Sequence, residues 1–386
     1  MFPTSVRDPY ARAGRFVVRS IEPTADGRFR AILDDSVLYP EGGGQPWDLG
    51  TVGGVAVLAV VRRPDGLEHT LAGPVSPGSV SVEVDWDRRF DHMQQHTGQH
   101  LLSALAADRF GLPTTSFHLH PGLDAVCDVE LGGELELDRA RALQDQVNEA
   151  IRAARAVRAT VTDRLPPEAR TRGVPDGVDA VRLIEIEGLD LNTCGGTHVR
   201  STAELQQCVV LGVERLRGGT RVSFVFGERV ARRLVVAERR LAAASALVSV
   251  GPSDLVDAIR RALDEAKAAA KSRSALADEL AASIGAALAA GPGPLRALHR
   301  GDADLPFLNA VAAAAGRAAP DAVLWLTAGE GSEGAFLLVA PPERIGAVKG
   351  ELLDRLGAKG GGPPGRLQGK ASRIDRRDDV LALLAG

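Results

Sequence analysis

The sequence predicts an α+β protein of several domains: a small N-terminal β-barrel, an α+β middle domain, a helical arm and a C-terminal α/β domain. Four observations, one per segment, carry this reading. Short β-branched, alternating runs broken by Pro, Gly and Asp fill residues 1–87, and helical and strand patterns mix over 88–227. From 228 to 290 almost every residue is a helix former, and the remainder, 295–386, alternates strand and helix.

The barrel strands are read from RFVVRSIEP, RFRAILDDSVLYP, VGGVAVLAVVRR and SVSVEVDWD. Next comes DHMQQHTGQHLLSALAADRFG, where Asp91 is the expected N-cap and Gly111 the expected stop. Leu101, Leu102, Leu105 and Phe110 recur there at helical spacing. A strand pair follows around FHLHPGLDAVCDVEL, then the helix DRARALQDQVNEAIRAA and the segments RATVTDRL and AVRLIEIEGL. The stretch 205–227 is expected as a closing hairpin. GPSD at 251–254 interrupts the arm, with Ser253 as the expected cap of its second half, and GPGP at 291–294 is a linker. In the last segment DAVLWLTAG, GAFLLVAPP and GAVKGELLDRLG precede the glycine-rich GAKGGGPPGRLQGKAS.

Two pairs of metal-type ligands stand out. His96 and His100 are four apart on the expected helix, so both imidazoles share one face. Cys194 and His198 follow ninety-odd residues later in NTCGGTHVRST, around a tight Gly-Gly turn. One thiolate and three imidazoles form a borderline-soft tetrahedral set that suits zinc. A metalloprotease would need a glutamate after the first histidine; Thr97 stands there, which argues against a peptidase. His118 and His120, on one side of an expected strand, are read as solvent or subunit contacts.

Composition sets bounds. With 386 residues, 45% hydrophobic and 25% charged, the chain is that of an ordinary soluble protein of two or three domains. No apolar run reaches the length of a membrane span, and no signal-peptide core opens the chain. Three cysteines form no disulfide framework, so a cytoplasmic location is expected, with Cys127 and Cys208 as small buried residues in strands. The net charge of −4 does not announce a nucleic-acid binder, but phosphate binding needs only local neutralisation. Arginines cluster at 215–221 and 229–240, and basic residues crowd 359–377.

HTGQHLLSA and CGGTHV, preceded by YPEGGGQPWDLG at 39–50, resemble the editing domain of alanyl-tRNA synthetase. More closely, the chain resembles the freestanding AlaX proteins, alanyl-tRNA editing hydrolases. Its C-terminal half resembles their long form, with a helical arm and a domain shared with DHH-type phosphoesterases. The resemblance implies a barrel over 1–87, a zinc-containing editing domain over 88–227, an arm over 228–290 and the shared domain over 295–386. It implies zinc at His96, His100, Cys194 and His198, and a stand-alone deacylase with no ligase activity. Its expected partner is tRNA(Ala) carrying serine or glycine, with no membrane partner and a homodimer through the C-terminal half.

The expected chemistry is hydrolysis of an aminoacyl ester. A pocket built for alanine cannot strongly exclude glycine or serine, so a second site must destroy the wrong ester. Thr97 is the candidate contact for the serine hydroxyl, and Gln45 the candidate beside it. Gly42, Gly43 and Gly44 would let backbone approach the substrate. In the C-terminal domain Gly360, Gly361 and Gly362, between Lys359 and Arg366, are candidate RNA contacts through backbone amides and cations. There the chain departs from the family pattern, with Leu367 where a small residue is expected and Lys370 within the second glycine cluster. Gly98, where alanine is usual, weakens helix propensity by about 1 kcal/mol, and Trp47, replacing a small residue, is expected to narrow or cap the pocket. Two other readings stay open: a closed zinc site in a non-catalytic tRNA-binding or dimerising module, and a hydrolase of another small ester or amide.

Overall fold

The structure is a computed structural model that describes residues 2–170 and 180–385. The chain divides into two compact units, 1–243 and 244–386. After a short helix α1 (Thr4–Arg7), six strands build a closed antiparallel barrel: β1 (Ala13–Pro23), β2 (Phe29–Leu33), β3 (Gly50–Val52), β4 (Val55–Arg63), β5 (Gly66–Leu71) and β6 (Gly78–Val84). Their order is β1-β2-β5-β4-β3-β6, closed by β6 pairing with β1. Alternation puts Val18, Leu33, Val60, Leu71 and Val82 inside, and closure removes every free edge. Val37 and Leu38 belong to that core from a loop, so the strand read over 28–40 ends early, at Leu33.

Helix α2 (Trp86–Phe110) leaves the barrel directly. Its N-cap is Asp85, whose carboxylate accepts from the Arg88 amide, rather than Asp91. Asp91 lies a turn and a half inside the helix, where it forms a buried two-pronged pair with Arg229 at 2.7 Å. Gly111 does end the helix, at φ 67°.

The rest of the first unit comprises β7 (Thr114–His118), β8 (Cys127–Leu131), α3 (Leu137–Arg152), β9 (Val157–Thr162), β10 (Val181–Ile186), β11 (Asp190–Thr193), β12 (Cys208–Leu216) and β13 (Gly219–Phe226). They form a four-stranded sheet, β12-β13-β8-β7, and a three-stranded one, β11-β10-β9. Leu101, Leu102 and Leu105 of α2 join Leu143, Val147, Phe224 and Ile184 in one core. Cys127 and Cys208 are buried there in strands, as expected.

The N-terminal half of α2 is polar yet buried, and apart from His92, whose ring nitrogens have no partner among the described residues, its buried polar side chains are held by specific bonds. Arg89 pairs with Asp48 of the barrel loop. Gln95 exchanges two hydrogen bonds with the Phe226 backbone, at 2.9 and 3.0 Å, as a strand neighbour would. These bonds fix the rotation of α2 against both barrel and sheet, and so fix where its histidines point.

The arm is α4 (Glu228–Leu247) and α5 (Leu255–Ala289), separated by a break at 248–254 that contains a short 3-10 turn. Asp254, not Ser253, holds the cap position of α5, and no side-chain bond is made there. The final segment contains β14 (Leu295–Arg300), α6 (Leu305–Ala318), β15 (Val323–Ala328), β16 (Gly334–Val339), α7 (Pro342–Leu356), β17 (Ala358–Gly361), β18 (Arg366–Ala371) and α8 (Arg377–Ala385). Strands and helices alternate, but the sheet β14-β15-β16-β18-β17 is mixed: only β14 and β15 run parallel. Among the described residues no helix is long and apolar enough to cross a membrane.

Candidate metal centre

His96 and His100 project from one face of α2, their rings 5.3 Å apart between centroids. Cys194 and His198 come from the turn that follows β11. Cys194 Sγ lies 3.4 Å from His96 Nε2 and 3.2 Å from His198 Nε2, and one ligand atom from each of the four residues falls within 4.8 Å of the others. A tetrahedral zinc with Zn–S of about 2.3 Å and Zn–N of about 2.0 Å sets its S···N edges at roughly 3.5 Å. The donor set and its spacing therefore fit a metal ion.

The turn is shaped for this approach. Gly196 carries no Cβ because one there would lie 2.2 Å from the His96 ring. Buried Arg182 donates to the carbonyls of Cys194, at 2.9 Å, and Gly196, at 2.8 Å, clamping the turn from β10.

Each of the three imidazoles is held through Nδ1, leaving Nε2 for the ligand set. His96 Nδ1 meets Gln45 Oε1 at 2.8 Å, His100 Nδ1 meets Asp190 Oδ2 at 3.2 Å, and His198 Nδ1 meets Thr97 Oγ1 at 3.1 Å. Such partners fix tautomer and ring orientation at metal-binding histidines. Burial pushes the Cys194 thiol up, but the surrounding imidazoles of His96, His198 and His100 outweigh it and hold the group well below its ordinary range, as thiolate. Burial lowers His100, yet the Cys194 thiolate and the Asp190 hydrogen bond carry it up to about 10. His198 is pushed down to about 3, chiefly by burial. The imidazoles thus favour the thiolate form of Cys194, the form in which a cysteine binds a metal.

The ligand set floors a cleft of about 640 Å³. His96, His100 and Cys194 line it; Gln99, Ser103 and Thr114 add polar groups to its wall, and Phe117 and Ala107 add apolar ones. Of the glycine trio only Gly43 reaches the cleft. Gly43 and Gly44 have φ of 60° and 82° between mutually bonded Gly42 and Gln45, a type I′ turn.

The structure relocates three residues singled out from the sequence. Gln45 is buried behind His96, where it also bonds the Thr197 amide at 3.0 Å and hydroxyl at 2.8 Å. Thr97 is fully buried outside the cleft lining, its Oγ1 accepting from the Val199 amide at 3.2 Å while facing His198. Trp47 does not cap the pocket: its indole donates to Leu58 O at 2.9 Å and packs on the barrel. His118 and His120 do share a side, both bonded to Asp128 on the exposed sheet face.

Asp190, Arg182 and Arg170 were missed by sequence reasoning. Arg182 gave one signal, a charged residue inside the run AVRLIEIEGL, whereas Asp190 and Arg170 lie outside the runs read as strands and gave none.

In the C-terminal unit, Lys359, Gly360 and Gly361 lie on edge strand β17 and Gly362 just beyond it. Gly360 faces Gly369 across the β17–β18 pair, where a Cβ would come within 2.6 Å of Gln368 O. Arg366 on β18 donates to Asn309 Oδ1 at 3.1 Å, and Leu367 is buried in the core, which accounts for its size. The arginine clusters are largely paired within the chain: Arg229 is fully buried, Arg215 binds Glu134, and Arg221 binds Glu130 and Glu214.

Comparison with known proteins places this geometry. The family model described as "Threonyl and Alanyl tRNA synthetase second additional domain" matches residues 181–222, the stretch that carries Asp190, Cys194 and His198. Alanyl-tRNA editing protein Aarsd1 of Rattus norvegicus is 37% identical over 400 residues, covering 98% of this chain and 96% of that protein. The chain belongs to the alanyl-tRNA editing protein family. Aarsd1-B of Xenopus laevis is 37% identical over 369 residues, covering 92% of this chain and 88% of its own length. An alanine–tRNA ligase of Halobacterium salinarum is 30% identical over 407 residues, all of this chain but 42% of the ligase. As an alanyl-tRNA editing family member the chain is a hydrolase that serves protein biosynthesis.

Proposed function

We propose that the chain hydrolyses the ester of Ser-tRNA(Ala), and of Gly-tRNA(Ala), at a zinc site held by His96, His100, Cys194 and His198. One observation carries this reading: four ligand atoms converge within 4.8 Å at the floor of an open cleft, in a member of an editing family. Zinc there would supply Lewis acidity toward an ester carbonyl or an attacking water.

The chain's own residues do the rest. Gln45, Asp190 and Thr97 orient the three imidazoles, so Thr97 and Gln45 act through the ligands. The hydroxyl of a seryl group is read by the polar wall of the cleft, where Gln99 donates to Ser103 at 2.7 Å and Thr114 to the same oxygen at 2.6 Å. The Gly42–Gly44 turn sets the rim, with Gly43 backbone facing the substrate.

The partner tRNA is held in part by the C-terminal unit, through Lys359, the Gly360–Gly362 backbone and Arg366. Exposed Lys359 and the open edge of β17 support this. A homodimer through the C-terminal half is supported by Val256, Leu263 and Leu276, apolar and about two-thirds exposed on α5. Three unpaired cysteines support a reducing, cytoplasmic setting.

Cys194→Ala is the direct test: bound zinc and deacylation of Ser-tRNA(Ala) should be lost together. A variant without zinc that deacylates at the wild-type rate would contradict the zinc requirement.

A further inference from the structure

His100 differs from the other two imidazoles in the charge of its partner. Gln45 and Thr97 are neutral, whereas Asp190 is a carboxylate, buried at the start of β11. That carboxylate has a second neighbour. Arg170 Nε lies 3.3 Å from Asp190 Oδ1, and Arg170 Nη2 lies 2.8 Å from both oxygens of Asp108. Asp108 stands on α2, eight residues beyond His100. The four side chains therefore close a circuit, His100–Asp190–Arg170–Asp108, from α2 to β11 and back to α2.

Backbone geometry fixes the arginine in this circuit. The Arg170 amide donates to Leu191 O at 2.7 Å, and residue 170 bridges Asn192 in parallel, laying it along β11. Arg170, Asp190 and Asn192 together form one wall of the cleft above the ligands.

Charge explains the arrangement. A dication, one thiolate and three neutral imidazoles leave the ligand set at +1, and the Asp190 carboxylate brings it to neutrality. Arg170 and Asp108 then cancel each other. Among the described residues Asp190 Oδ1 is a buried oxygen that makes no aligned hydrogen bond, and the Arg170 guanidinium beside it offsets the cost of that burial. A carboxylate on the outer nitrogen of a ligand histidine raises that ligand's basicity and fixes its ring.

We propose that Asp190, held in place by Arg170, is a positioning residue that sets how tightly His100 binds the metal. The proposal rests on the metal reading of the four-residue set. Two positioning residues thereby join the site, both on the wall of the cleft.

Zinc affinity, read by chelator competition on the full-length protein, tests this without recourse to activity. Cobalt-substituted protein adds a spectroscopic signature of ligand geometry. Asp190→Asn keeps an acceptor for Nδ1 but removes the charge; its zinc affinity should fall about 10–100-fold, with an altered cobalt ligand-field spectrum. Arg170→Gln, at a half-buried site that the fold tolerates more readily, should weaken zinc in the same direction by several-fold. Wild-type zinc affinity and cobalt spectra in both variants would overturn the proposal. Wild-type protein that takes up no zinc at all would instead overturn the metal reading, and the proposal with it.

Discussion

Gln45 and His96, 51 residues apart in sequence, meet at 2.8 Å, the amide oxygen of one on the outer nitrogen of the other. The same oxygen accepts from the Thr197 amide, and the Gln45 amide nitrogen donates to the Thr197 hydroxyl. One buried side chain thus links the barrel loop, the His-pair helix and the Cys turn. Barrel and editing fold are coupled at the ligand set, not merely consecutive.

Gln45→Ala should leave the barrel folded while zinc affinity falls about 10–100-fold, because His96 loses its orienting acceptor. Chelator competition alongside circular dichroism checks this. Unchanged affinity would mean that the helix alone orients His96.

Thr97→Val is nearly isosteric and removes the hydroxyl from both His198 Nδ1 and the Val199 amide. Leaving that buried amide unpaired should cost about 1–3 kcal/mol of stability, and zinc should bind more weakly. A direct contact with the substrate hydroxyl would give a different result, with zinc retained and serine preference lost. Parallel zinc titration and deacylation assays separate the two roles.

Gly98→Ala separates local propensity from packing. Alanine gains about 1 kcal/mol of helix propensity, but its Cβ would sit 2.5 Å from the Phe226 ring. Overpacking of this kind costs about 1–3 kcal/mol, so the variant should be less stable by about 1 kcal/mol in chemical denaturation. Phe226→Leu in the same chain should recover part of the loss. A Gly98→Ala protein more stable than wild type would show that Phe226 moves aside freely.

Acid should loosen the barrel through His69. Its ring is buried between Leu67 O and Ser36 Oγ, each 3.0 Å away, and burial lowers its pKa to about 4. The unfolded chain takes up a proton near pH 6.5 while the folded one refuses it. This group's share of stability is therefore complete above pH 6.5 and falls toward pH 4, by on the order of 3 kcal/mol. Hydrogen exchange of the Leu33 and Leu67 amides at pH 7, 5.5 and 4.5 should show the decline, and His69→Gln should flatten it. Equal slopes in both proteins would assign the acid sensitivity elsewhere.

The ligand candidates were legible because their spacing is local. His96 and His100 sit one helical turn apart, and Cys194 and His198 flank a Gly-Gly turn, so each pair is read within five residues. The barrel was legible for the same reason, since alternation and turn residues repeat along each strand. What orients the ligands was hidden, because those contacts span long separations: Asp190 reaches His100 across 90 residues and Thr97 reaches His198 across 101. The start of α2 was misplaced because its first half buries polar residues, so apolar periodicity gave no sign of Trp86–Phe90. Asp91 and Asp85 are both good caps by residue type, and only the distant partner Arg229 decides between them. Helix α6, alanine-rich and lacking charges on its first turns, offered little contrast to mark its limits.

The central claim is a zinc-dependent editing hydrolase with the wrong esters as substrates. The most direct measurement is the hydrolysis rate of zinc-loaded protein on Ser-tRNA(Ala), Gly-tRNA(Ala) and Ala-tRNA(Ala), side by side. The account predicts fast loss of the serine ester, loss of the glycine ester, and an alanine ester left intact. No hydrolysis of any of the three, with zinc and tRNA both bound, would contradict it.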